Sequence, residues 1–131
     1  MKIAVSSTGK DLDSTLDVRF GRCNYFLIYD TEGGGVKAIE NKGQISEGGA
    51  GVAAAQQIIH EGVDVVITGN VGPNAFNLFK NSDIKVYPCE SIKVERAIQL
   101  FKEGSLDELN QPGPAHGGMG MAAGRGFRGG I

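Results

Sequence analysis

This 131-residue chain has only two cysteines, Cys23 and Cys89, too few for the disulfide framework of a small secreted domain. It has no apolar run near the ~20 residues that a membrane helix needs. Met1-Lys2-Ile3-Ala4-Val5 leads straight into a strand-like segment, without a signal-peptide apolar region or small-residue cleavage site. The protein is therefore expected to be cytoplasmic, with reduced thiols and no membrane contact. Acidic residues are missing after Glu108 while Arg125 and Arg128 remain, so the formal charge of −2 divides into −4 over residues 1–110 and +2 beyond. An acidic body lacks the basic stripe that nucleic-acid binding requires. Neither cysteine has a Cys-x-x-Cys partner, which excludes a four-thiolate iron–sulfur or zinc site within one chain. There is no Ser-His-Asp set, P-loop or dinucleotide fingerprint. Asp11-x-Asp13-x-x-x-Asp17 lacks the glycine and closing glutamate of a calcium loop and reads as solvated.

What is present suffices for one domain, since a chain of this length buries about two-thirds of its unfolded surface. Apolar runs at Lys2–Ser6, Tyr25–Tyr29, Val36–Glu40, Val63–Ile67 and Ile84–Tyr87 predict five strands, the second and third joined as a hairpin through Glu32-Gly33-Gly34-Gly35. Val52, Ala55, Ile58 and Ile59 fall at helical spacing. Pro73 suits the first turn of a second helix, whose apolar stripe is Ala75, Phe76, Leu78 and Phe79. Ser91 is the expected N-cap of a third helix, carrying Val94, Ala97, Ile98 and Phe101 before Gly104 stops it. The order βββαβαβα gives an α/β domain over residues 1–110. Residues 111–131 hold eight glycines and little that can be buried, so this tail is expected to be disordered without a partner.

Two segments carry the functional signal. Asp17-Val18-Arg19-Phe20-Gly21-Arg22-Cys23 sets two arginines and a thiol around a glycine before a strand, as an anion-facing loop would. Thr68-Gly69-Asn70-Val71-Gly72-Pro73-Asn74 ends a strand in a glycine turn that opens a helix. With Gly49-Ala50-Gly51 and Ala55-Gln56, these motifs resemble the nitrogenase iron-molybdenum cofactor biosynthesis family over residues 1–108. The resemblance implies a ribonuclease H-like fold, with a mixed sheet of order 3-2-1-4-5, strand two antiparallel and helices on both faces. It also implies a protein that binds or carries metal–sulfur clusters or their precursors. Stand-alone family members occur without nitrogenase, so the name does not fix a nitrogenase role.

In that topology the carboxyl ends of strands one, four and five meet the start of strand two on one edge, where open α/β sheets bind ligands. Arg19, Phe20, Gly21, Arg22, Cys23, Gly49, Gly51, Gly69, Asn70, Gly72, Pro73 and Asn74 are the candidate cluster-binding residues, with helix starts near Gly49 and Gly72 adding positive dipole ends. Cys23, Cys89 and His116 are candidate metal contacts. The cysteines start about 14 Å apart across the intervening strands. That is beyond the ~7 Å of a disulfide, though they could frame opposite sides of a cleft. Plainer readings stand beside these: glycines required only by turns, thiols buried as apolar groups, and Arg19 or Arg22 paired with Asp11, Asp13 or Asp17. His60 is expected at the surface. A nuclease would need acids on strands one and four, and Ile3-Ala4-Val5-Ser6 offers none. The expected function is a non-enzymatic carrier of an iron–sulfur or molybdenum-containing cluster or thiomolybdate-type precursor, held noncovalently and passed to an assembly or recipient protein. The rivals are a small enzyme or sensor of a phosphorylated or carboxylated metabolite at the same edge, and an interaction module acting through the tail.

Overall fold

Five strands form one sheet in the order β3-β2-β1-β4-β5: β1 is Lys2–Ser7, β2 Tyr25–Asp30, β3 Val36–Glu40, β4 Val65–Thr68 and β5 Lys85–Pro88. β1 runs parallel to β4, β4 parallel to β5, and β2 antiparallel to both β1 and β3. The computed structural model describes residues 1–45 and 49–112, so what the sequence predicts for the tail from residue 113 on, His116 included, lies outside the described residues. Among the described residues, no helix is long and apolar enough to cross a membrane.

Side chains alternate across each strand and so feed two cores. Ala4, Phe26, Ile28, Val66 and Val86 face one layer, packed by helices α1 (Ala50–His60) and α2 (Pro73–Asn81) through Ala54, Ile58, Phe76 and Phe79. Ile3, Val5, Leu27, Val65 and Ile67 face the other, covered by α3 (Val94–Lys102) through Val94, Ala97 and Ile98. Fully buried Phe26 and Phe79 anchor the first layer. Truncating either to alanine would cost about 3–5 kcal/mol.

Three features depart from the sequence reading. The segment between β1 and Phe20, which shows no apolar periodicity, buries Leu16 completely and packs Leu12 on the α3 layer. Its carbonyls at Ser14 and Leu12 accept the Val94 and Glu95 N–H groups, capping α3 from outside. Ser91 is consequently not the N-cap: that position is Lys93, and the Ser91 hydroxyl donates to the Leu16 carbonyl instead. Beyond α3, Leu106 packs on one core layer and Leu109 on the other, and the Leu109 N–H donates to the Val86 carbonyl at 2.8 Å. The chain thus straps the outer edge of β5.

Candidate functional site

Phe20 fixes the first wall of the site. It is 3 % exposed, with its ring 5.4 Å from Phe26 and 5.5 Å, edge-on, from Phe79. This aromatic cluster draws the 3₁₀ turn Phe20–Arg22 into the core while the arginines on either side of Phe20 stay at the surface. Asn41, 1 % exposed at the end of β3, holds the turn from beneath: its Nδ2 donates to the Gly21 and Cys23 carbonyls, at 3.1 and 2.9 Å, and its Oδ1 accepts the Gly43 N–H. The sequence reading missed Asn41. The signal was Asn41-Lys42-Gly43, an asparagine accepting from the backbone two residues on.

The other walls are the first turns of α1 and α2. Together with residues 18–22 and Asn70 they enclose a cleft of about 570 Å³, within the range of small-ligand sites. Neither helix has a side-chain N-cap, at Gly49 or at Gly72. The first N–H groups of a helix have no partner inside it, so two positive helix ends reach the same cleft without side-chain caps. Among the described residues, no carboxylate lines it. A second groove, of about 660 Å³, runs from Gly69 and Asn70 to residues 105–111 and carries Asp107 and Glu108, which disfavour an anion there.

Arg19, Phe20, Gly21, Arg22, Gly49, Gly51, Asn70, Gly72, Pro73 and Asn74 all line the cleft. Gly69 does not. A Cβ there would sit 2.3 Å from Val18 Cβ, so this glycine permits close packing of β4's end against the arginine loop. Gly21 similarly lets the turn approach α1, since its Cβ would lie 2.8 Å from the Gly51 nitrogen. A Cβ on Gly51 would instead meet only Ala75 Cβ, at an ordinary 3.8 Å.

Of the three aspartates weighed as arginine partners, Asp17 is the one that pairs. Its two oxygens receive Arg19 Nε at 3.0 Å and Nη2 at 2.8 Å. Burial raises the Asp17 pKa, but the Arg19 hydrogen bonds and charge outweigh it and hold the carboxyl below its ordinary 3.8.

The cysteines are apart from the cleft and from each other. Cys23 is fully buried in the α1–α2 layer, its thiol donating to the Phe20 carbonyl at 3.3 Å. Burial pushes it up to about 12, with the Asp17 charge adding, while hydrogen bonds from the Ser7 backbone and Asn41 offset only part. It is a neutral thiol at pH 7, and the thiolate is the metal-binding form. Cys89 is half-buried on the α3 side, its pKa also raised by burial. The two thiols lie on opposite faces of the sheet rather than framing one cleft. Among the described residues, no three His, Cys, Asp or Glu side chains form a metal-binding cluster. His60 is exposed.

The orange protein of Desulfovibrio gigas, solved in its apo form, superimposes with a TM-score of 0.83 at 35% identity, over 86% of this chain and 95% of that one. A Thermotoga protein, TM1290, solved by NMR and provisionally described as a NifB protein, matches at 40% identity and a TM-score of 0.76, over 88% and 98%. The uncharacterized protein MJ0580 of Methanocaldococcus jannaschii is 33% identical over 113 residues, 83% of this chain and 96% of its own. Residues 1–104 match the model of the dinitrogenase iron-molybdenum cofactor family, and the chain belongs to that family.

Proposed function

We propose that this protein is a non-enzymatic carrier that takes a metal–sulfur cluster, or an anionic thiomolybdate-type precursor, into the cleft noncovalently and passes it to a cofactor-assembly partner. Membership of a family associated with the iron-molybdenum cofactor supports the class of cargo. The observation that carries the reading is the meeting, in one cleft, of Arg19, Arg22 and two helix starts without side-chain caps. Val18, Phe20, Val52 and Pro73 line the same cleft. Sulfide faces are polarizable and tolerate such apolar contact, whereas phosphate oxygens each need a donor. With no thiol or imidazole among the described lining residues, the cargo's metals keep their own sulfur ligands.

The strand order supports reading the domain as ribonuclease H-like in architecture. Nuclease chemistry is disfavoured because neither β1 nor β4 carries a carboxylate. Two free cysteines support a cytoplasmic setting.

Anaerobic titration with tetrathiomolybdate, followed by its visible absorption and by metal analysis, tests the proposal. The parent protein should bind, and Arg22→Ala should weaken binding by about tenfold, the worth of one charge-assisted hydrogen bond. Affinity unchanged in Arg22→Ala and in Arg19→Ala would remove the arginine cradle. Preference for inorganic phosphate over the thiomolybdate would favour the metabolite-sensor alternative.

A further inference from the structure

Asp17 does not line the cleft, yet its carboxylate accepts three hydrogen bonds from Arg19. Oδ1 takes both the Arg19 backbone N–H, at 2.9 Å, and Nε, while Oδ2 takes Nη2. The Asp17 backbone is itself clamped: its N–H donates to the Ser6 carbonyl at 2.9 Å, and its carbonyl accepts the buried Ser6 hydroxyl at 2.6 Å. Ser6 Oγ lies in turn 2.7 Å from Thr68 Oγ1, at the end of β4. Asn70 N–H then donates to the Val18 carbonyl at 3.1 Å, tying the next turn to the same loop.

This arrangement does more than offset the burial of a charge. Asp17 is 5 % exposed, so its charge has been largely taken from water, while the Arg19 side chain is 65 % exposed and its attraction is screened. The Arg19 hydrogen bonds and charge nevertheless outweigh that burial and keep Asp17 ionised. The pair also fixes geometry: the bidentate fork through Nε and Nη2 sets the plane of the guanidinium of a residue that lines the cleft, and leaves Nη1 outside the fork.

We infer that Asp17 is a positioning residue for ligand binding, one that orients the Arg19 guanidinium through the fork rather than touching the ligand. The inference rests on the cargo reading for its purpose. Its geometry can be tested separately. A simple charge count makes the opposite prediction, because removing a carboxylate behind an anion site should tighten binding.

Tetrathiomolybdate titrations of Asp17→Asn, Arg19→Ala and the double variant separate the two, each variant being checked for folding by denaturant melt. Asp17→Asn should bind about tenfold more weakly, like Arg19→Ala, and add nothing in the Arg19→Ala background. Asp17→Asn binding as tightly as the parent, or more tightly, overturns the inference. So does an equal loss in the Arg19→Ala background, since Asp17 would then act through the fold at large. Arg19→Lys keeps the charge without the fork and leaves Asp17 in place, so it serves even where Asp17→Asn does not fold. It should lose as much as Arg19→Ala, and full retention overturns the inference. Should the parent fail to bind tetrathiomolybdate, the proposed function falls, and orientation is read by NMR from the Arg19 Nε–H. A slowly exchanging Nε–H signal in the parent that is lost in Asp17→Asn supports the positioning role, and equal exchange in both overturns it.

Discussion

A cysteine next to two arginines suggests a metal ligand by composition, and at Cys23 packing decides otherwise. The residue lies two positions before β2, so strand alternation does not say which way it points. In the structure it turns into the α1–α2 layer, where Asn41 approaches the sulfur at 3.7 Å. Because burial raises its folded pKa to about 12 from an ordinary 9.0, the unfolded chain ionises first as pH climbs. The associated stability is therefore full below about pH 9 and is lost progressively as pH rises toward 12, by no more than ~4 kcal/mol. Cys23→Ala should flatten that alkaline decline in melts from pH 8 to 11. In the native protein at pH 8, Cys23 should also resist iodoacetamide, with modification by mass spectrometry appearing only on denaturation. Rapid native alkylation of Cys23 would refute the burial account and return the thiol to the list of cleft ligands.

At the level of elements, the strands were legible because each apolar run had a length and bounding turns that admitted one assignment. Their 3-2-1-4-5 order came from the family resemblance, and the hairpin and right-handed crossovers are consistent with it. The cleft's outline was legible too, since glycines at the starts of α1 and α2 and the arginines around Phe20 converge once the topology is set. Hidden from that reading was how residues 8–19 pack, because Leu12 and Leu16 are too widely spaced to announce an element. The division of labour among the glycines was hidden as well, since whether a glycine faces a ligand or a neighbouring backbone depends on contacts distant in sequence. Gly69 and Gly51 now give opposite expectations. Gly69→Ala must displace Val18 and should destabilise the fold by roughly 1–3 kcal/mol in a denaturant melt, with affinity per folded molecule preserved. Gly51→Ala fits and improves helix propensity, so it should hold or gain up to about 1 kcal/mol of stability while crowding the cleft and weakening thiomolybdate binding. Reversal of either pattern would show that the walls of the cleft have been misassigned.

For the molecule as a whole, the sign of charge is arranged by region: an acidic body, a cleft that gathers Arg19 and Arg22 with no acid among its described lining residues, and a tail whose charged residues are Arg125 and Arg128. Anion binding should accordingly weaken with ionic strength less than on an open surface, because a cleft is screened less than exposed charge. The tail follows Gln111, which lines the second groove with Asn70, a residue of the cleft as well. A chain ending at Asn110 should melt at nearly the parent's temperature. If the tail acts as a lid, that truncated chain will release bound thiomolybdate faster, and equal release and loading in both would rule the lid out.

The strap over β5 separates two boundaries that are easily taken as one. The family match stops at residue 104, whereas Leu106 and Leu109 still plug opposite cores and Leu109 still pairs with Val86. A fragment cut where the family ends would keep every cleft residue and yet leave a raw strand edge, open to pairing with any neighbouring molecule. Its failure would be one of solubility over hours in the tube, and a binding assay on freshly made material would miss it.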